Sequence, residues 1–454
     1  MKTTIAAIAT PPGQGGVGIV RVSGPYSLRI VLAITQDKAQ PEPRKAYLKR
    51  FIDNDARVID TGLLLYFKAP HSFTGEDVVE LQVHGSPMVL NMLLRQICQQ
   101  GASMARPGEF SERAYLNGCM DLAQAEAVAD LIAAGSEQAA RSAQNSLQGE
   151  FSRHVQSIVQ NLITLRVHVE AAIDFSEEET QWLGDTYTEQ LGKTVLEDLG
   201  QCLQVAEQGV LLQTGMKIVI AGRPNVGKSS LLNALSGQDL AIVSDTAGTT
   251  RDLIHQQINI EGMPLHIVDT AGLHNTHDPI EQEGIRRALH EVDRADGMLF
   301  LVDAHADAHQ ELEHMASHMS KLPSPDKLLL VRNKTDILAD PDPALSLEFA
   351  GKPYLMLPIS VKTGAGLQAL KREIAQRAGR QPGEVPYSAR IRHTDALRRG
   401  QAAMTHALEQ LQHGFADLAA EDLRTVQGAL GEITGTFTTD DLLTRIFSSF
   451  CLGK

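Results

Sequence analysis

The residues with the plainest chemical meaning lie between Gly222 and Lys362. Gly222-Arg223-Pro224-Asn225-Val226-Gly227-Lys228-Ser229 follows the apolar run Lys217–Ala221 and precedes the helix-like Ser230–Leu235. That strand–loop–helix context is what a phosphate-binding loop requires. The glycines let backbone N–H groups turn toward phosphate oxygens, and the helix N-terminus adds its dipole. Lys228 supplies a point charge to the outer phosphates, and the Ser229 hydroxyl suits Mg2+. Asn225, Val226, Gly227 and Ser230 complete the expected phosphate contacts.

Three further motifs follow in order. Asp269-Thr270-Ala271-Gly272 ends an apolar run, which puts Asp269 where it can hold Mg2+ through water and Gly272 where its N–H can meet a γ-phosphate. Asn333-Lys334-Thr335-Asp336 chooses the base, because one carboxylate can accept from both N1–H and the exocyclic amine of guanine. Adenine lacks that donor pair, and an unsatisfied acceptor costs ~1–3 kcal/mol. Ser360-Val361-Lys362 would contact the base through its backbone, a motif of little weight by itself. Within Gly248-Thr249-Thr250-Arg251-Asp252, Thr250 is the hydroxyl expected to join Mg2+ when GTP is bound.

Leu273 follows the second motif, where small Ras-like GTPases carry a water-orienting glutamine. Another group must position the water. Asp278, Glu281 and Glu283 are all available, and the residues alone do not choose among them.

Placing these motifs requires a mostly parallel sheet. Lys217–Ala221, Leu265–Val268, Met298–Val302, Leu328–Val331 and Tyr354–Pro358 are apolar runs alternating with helix-like segments. On either side the texture is helical: proline is absent between Pro107 and Pro224 and again from Tyr387 to Lys454. Leu122, Ala125, Ala129 and Ile132 recur at helical spacing, as do Ile158, Leu162, Leu165 and Val169. Ahead of them, Thr3–Ala9, Val17–Ser23, Thr61–Phe67 and Asp77–His84 read as strands and Pro87–Gln100 as a helix. The economical organisation is an α+β domain over 1–117, a helical domain over 118–215 and 378–454, and a P-loop domain over 216–377 inserted into it. A linear order of four domains fits the same texture.

Length and charge narrow the partners. A chain of 454 residues exceeds one core, and a formal net charge of -14 argues against coating nucleic acid through bulk charge. Arg390, Arg392, His393, Arg398 and Arg399 form the one basic cluster weighed as an RNA contact, against the plainer reading of a solvated helix face. Cys98, Cys119, Cys202 and Cys451 have no metal-ligand spacing, and no apolar stretch approaches the roughly 20 residues of a membrane span. The composition reads as a reduced, cytoplasmic protein with no membrane partner.

Blocks outside the nucleotide motifs carry a resemblance. Ala9-Thr-Pro-Pro-Gly-Gln-Gly-Gly-Val-Gly-Ile-Val-Arg21, Phe73-Thr-Gly-Glu-Asp77, Arg106-Pro-Gly-Glu-Phe-Ser-Glu-Arg113, Asp121-Leu-Ala-Gln-Ala-Glu126 and Phe447-Ser-Ser-Phe-Cys-Leu-Gly-Lys454 resemble, end to end, the bacterial tRNA-modification GTPase family called MnmE or TrmE, within the TrmE-Era-EngA-YihA-like GTPases. The resemblance implies a folate-binding N-terminal domain, a helical domain interrupted by the G domain, and a homodimer. It implies a tetrahydrofolate one-carbon donor such as 5-formyltetrahydrofolate. It further implies a flavin-dependent partner (MnmG, also called GidA) in a heterotetramer or larger complex. The substrate implied is the wobble uridine of certain tRNAs, modified at carbon 5 with a carboxymethylaminomethyl or aminomethyl-type group.

By position, the resemblance makes Asn225, Ser244, Thr246 and Thr249 ligands of K+, and Glu281 the water-orienting carboxylate. A monovalent cation there supplies charge that an arginine finger brings elsewhere. Arg21, Glu80 and Lys454 become folate contacts, and Cys451 a catalytic candidate beside the one-carbon site. The plainer reading of Cys451 is a small buried hydrophobe. Cys119 departs from the lysine common in the family, which puts one folate contact in doubt. Two other classes compete. A ribosome-assembly GTPase would carry a compact RNA module, yet no KH loop or RRM signature is present. A scaffold without turnover sits poorly with Lys228, Ser229, Asp269 and Glu281.

Overall fold

Alternation along Gly15–Ser23 decides the two faces of the first sheet: Val20 and Val22 are fully buried in one core, and Arg21 between them turns to the opposite face. The computed structural model describes residues 3–174, 186–236, 255–260, 263–269, 295–317, 319, 322–338, 345–377, 386–436, 443, 446–448, 450 and 453. At 174, 186, 255–257 and 269 this holds for the backbone only. The chain divides into two compact units, one of residues 1–129, 146–199 and 396–454, the other of 130–145 and 200–395.

The first unit opens with a six-stranded sheet. Its strands are β1 (Ile5–Ile8), β2 (Gly15–Ser23), β3 (Ala46–Ile52), β4 (Val58–Phe67), β5 (Val78–Gly85) and β6 (Ser103–Met104), in the spatial order β3-β4-β5-β2-β1-β6. All pairings are antiparallel except β1 with β6. Helices α1 (Ser27–Thr35) and α2 (Pro87–Gln99) cover one face through Ile30, Val31, Ile34, Leu90, Leu93 and Ile97. Proline at the start of α2 costs no hydrogen bond, since that N–H has no helical acceptor. Helix α1 and strand β3 escaped the sequence reading. In β3 only Phe51 is buried, so the strand writes almost no apolar alternation.

Beyond the sheet, α3 (Glu109–Leu116), α4 (Leu122–Ala133), α5 (Glu137–Leu147), α6 (Glu150–Asp174) and α7 (Thr186–Thr214) follow. The 25-residue α6 buries Val155, Ile158, Leu162, Leu165 and Val169, the period the sequence displays.

The second unit holds a seven-stranded sheet of β7 (Met216–Gly222), β8 (His255–Ile260), β9 (Met263–Asp269), β10 (Gly297–Asp303), β11 (Leu328–Asn333), β12 (Leu345–Phe349) and β13 (Lys352–Pro358). The spatial order is β12-β13-β11-β10-β7-β9-β8. The five inner strands are parallel and correspond to the five apolar runs, while β8 and β12 add antiparallel edges. Ile218 and Ile220 of β7 enter one core and Val219 and Ala221 the other, so helices cover both faces. These helices include α8 (Lys228–Ser236), α9 (Ala308–Ala316) and α10 (Leu367–Arg377). Helix α11 (Ile391–Gln412) leads back to the first unit, where α12 (Ala416–Thr434) ends on Gly435 in the left-handed region. Among the described residues no helix is long and apolar enough to cross a membrane.

Candidate functional site

Strand β7 lies between β9 and β10, so consecutive parallel strands leave it on opposite sides. This is a topological switch point, and ligands bind at the carboxyl ends of strands there. The loop after β7 is shaped by Gly222 at φ 147 and Gly227 at φ 100, backbone that an L side chain rarely adopts. A Cβ on Gly222 would stand 2.5 Å from the Leu301 carbonyl, and one on Gly227 would meet the Asn333 amide. Asn225, at the crest of the loop, is itself left-handed at φ 63. Lys228 Nζ donates back to the carbonyls of Gly222 at 2.8 Å and Arg223 at 3.0 Å, spanning the loop mouth. Ser229 and Ser230 are exposed in the first turn of α8. Asp269 closes β9 in register with Ile220, one strand away from the loop.

The base-selecting loop is joined to this one by a single buried side chain. Asn333 Nδ2 donates to the Val226 carbonyl at 2.8 Å, and its Oδ1 accepts from the Val361 N–H at 3.2 Å. Sequence reasoning gave Asn333 a place in a motif and missed this bridge. Ser360 Oγ donates to Asp336 Oδ1 at 2.7 Å, which orients an otherwise exposed carboxylate. Asn225, Gly227, Asn333, Lys334, Asp336 and Lys362 line a cavity of about 400 Å³ between the two loops. A planar base with donors on one edge matches a cavity ending in a fixed carboxylate. Lys334 Nζ pairs with Asp303 at 2.8 Å, and that hydrogen bond holds the Asp303 carboxyl below its ordinary value.

A second site forms on the outer face of the first sheet. Arg21 and Glu80 are register partners, and the guanidinium meets Glu80 Oε1 at 2.9–3.0 Å. The rings of Phe73 and Phe110 lie 5.4 and 5.7 Å from the guanidinium carbon. The Gly453 carbonyl accepts from Arg21 Nη1 at 3.5 Å. Upstream, Ile446, Phe447 and Phe450 pack on Leu122 and Ala125, which leads the C-terminal segment toward this face. Beside it Arg113 donates to Glu76 at 3.1 Å and to Glu109 at 3.0 Å, and Ser23 donates to Glu76 at 2.9 Å. Glu76, Glu109 and Arg113 sat unremarked inside the blocks that carry the resemblance. Cys119 is exposed next to Gly75.

Ser244, Thr246, Thr249, Thr250, Thr270, Ala271, Gly272, Glu281, Cys451 and Lys454 lie outside the described residues, as does the Asp269 side chain.

Comparison with known proteins decides the family. A model described as the GTP-binding protein TrmE N-terminus matches residues 4–119, and one for the MnmE helical domain matches residues 122–451. The tRNA modification GTPase MnmE of Pseudomonas paraeruginosa is 52% identical over 454 residues, covering 99% of each chain. The chain belongs to the MnmE family of tRNA modification GTPases. The MnmE of Methylococcus capsulatus is likewise 52% identical, over 455 residues, covering 100% of this chain and 99% of its own. The MnmE helical model runs across the P-loop sheet, so that sheet is an insertion in the helical domain. Among solved structures, the G domain of the T. maritima FeoB iron transporter is 24% identical, covering 36% of this chain and 98% of its own at a TM-score of 0.27. That likeness is low, so sheet order and loop geometry carry the fold of this MnmE-family chain.

Proposed function

We propose that this chain hydrolyses GTP at the cavity between the Gly222–Ser229 loop and Asn333–Asp336, and couples that hydrolysis to tRNA modification. The observation that carries the reading is the Asn333 bridge between both loops beside an Asp336 carboxylate oriented by Ser360. Guanine would be selected by Asp336, with Val361 and Lys362 against the base. The phosphates would take the amides of Val226, Gly227 and Ser230 together with Lys228. Mg2+, which neutralises phosphate charge when bound, would be held by Ser229, Thr250 and, through water, Asp269. The exposure of Ser229 in the first turn of α8 fits that role. Asn225, Ser244, Thr246 and Thr249 would hold K+, and Glu281 would orient the attacking water. The exposed crest position of Asn225 fits its part.

The Arg21–Glu80 face suits a folate ring, since a carboxylate and two aromatic rings can take a pterin's donors and its apolar faces. Because Arg21 and Glu80 are paired, they would address one end of the ligand together, leaving Lys454 for the anionic tail. The route of the C-terminal segment to Arg21 supports a part for Cys451 near the same site. The proposed domains are 1–117, 118–215, 216–377 and 378–454. The wider assignment is a cytoplasmic homodimer that works with an MnmG-like flavoprotein on carbon 5 of the wobble uridine.

The test is GTP hydrolysis by the full chain in matched KCl and NaCl, with Asn225→Ala as control. The expected result is strong stimulation by K+ that the variant loses. Equal turnover in both salts would remove K+ from the mechanism and leave a GTPase that needs another activator.

A further inference from the structure

Asp303–Glu311 carries none of the nucleotide motifs, yet its two end carboxylates hold one residue in each nucleotide loop. At the end of β10, Asp303 Oδ2 pairs with Lys334 Nζ at 2.8 Å, and Asp303 Oδ1 accepts from the His305 N–H at 3.1 Å. On α9, Glu311 Oε2 pairs with Arg223 Nε at 2.7 Å, its side chain only 13% exposed. The segment between them is well fixed. Asp307 caps α9 by accepting from the His309 and Gln310 N–H groups, and Ala304 exchanges hydrogen bonds with the backbone of Asn333 and the side chain of Arg332.

What these pairs hold is left-handed backbone in both loops. Lys334 sits at φ 66, a left-handed conformation that costs most non-glycine residues on the order of 1 kcal/mol, and Asn225 at φ 63, a region asparagine tolerates. Lys334 is tied directly by Asp303. Asn225 is two residues from Arg223, with the stiff Pro224 between, so the Glu311 contact limits the whole crest. Both left-handed residues line the cavity, on its base side and its phosphate side.

We propose that Asp303 and Glu311 are positioning residues for the bound guanine nucleotide, Asp303 acting through Lys334 and Glu311 through Arg223. This rests on the reading of the cavity as a guanine-nucleotide site. Neither carboxylate needs to touch nucleotide. Each keeps its loop in the binding shape, and losing one lets the nucleotide leave sooner.

Dissociation of mant-GDP from the full chain by stopped-flow fluorescence tests this. Asp303→Asn and Glu311→Gln are each expected to speed release about fivefold, with melting temperature nearly unchanged. Glu311→Asp should recover part of the loss. Arg223→Ala and the double variant Arg223→Ala/Glu311→Gln should release at the same rate, because the second change removes a partner already lost. The preference for GDP over IDP should stay at the wild-type ratio in Asp303→Asn and Glu311→Gln, since Asp336 is untouched. Wild-type release rates in both single variants, or additive effects in the double variant, would overturn the proposal. Failure of the wild-type chain to bind mant-GDP would instead overturn the underlying reading of the site.

Discussion

Asn333 reaches from the base-selecting loop to hydrogen-bond the Val226 carbonyl at 2.8 Å, so one side chain ties that loop to the phosphate loop. The side chain is 2% exposed and its other end receives the Val361 N–H. Asn333→Ala would orphan both backbone groups at a cost of ~1–3 kcal/mol each. We expect a lower melting temperature together with weaker mant-GDP binding. A variant that melts lower and still binds as wild type would separate the bridge from nucleotide binding.

Ser360 fixes one oxygen of Asp336, which tells how Asp336→Asn would sit. The amide oxygen keeps the Ser360 hydrogen bond and the NH2 faces the base, opposite a guanine edge of donors. GTP turnover should fall roughly 10- to 100-fold, and xanthosine triphosphate, which offers an acceptor there, should become the better substrate. Unchanged preference would mean that the carboxylate does not meet the base edge.

Gly222→Ala sets a methyl 2.5 Å from the Leu301 carbonyl, at a φ of 147. Neither β7 nor β10 can yield without breaking the sheet, so the loop must move. Nucleotide affinity should drop by about 100-fold, read by mant-GDP titration, while circular dichroism stays close to wild type.

On the outer face, Glu80→Gln takes away the charge opposite Arg21. If this face holds a folate, affinity for 5-formyltetrahydrofolate by calorimetry should weaken at least about tenfold. Binding at wild-type strength would move the folate reading elsewhere.

Tyr66 sets an alkaline limit on the first sheet. Burial, with the hydrogen bond to Asp77 at 3.0 Å, pushes its phenol up to about 12 from 10.0. The native state favours the neutral phenol, so this stability is full below pH 10 and lost as pH rises through about 12. Tyr66→Phe should melt below wild type at pH 8, and the gap should close across that alkaline window.

By itself the sequence determined the phosphate loop, the base-selecting motif, the five inner strands and the helical flanks. Each of these is written locally. A loop motif spans eight residues, a buried parallel strand is a continuous apolar run, and an amphipathic helix repeats at three and four. Only the tertiary structure decided that Asn333 joins two loops 107 residues apart, that Glu311 braces Arg223, and that Arg21 and Glu80 are one pair. The ring contacts of Phe73 and Phe110, and the approach of Gly453 to Arg21, belong to the same class. Residues far apart in the chain leave no periodic trace in one sequence. Their meeting is fixed by strand register, face and loop path, which exist only once both cores have closed.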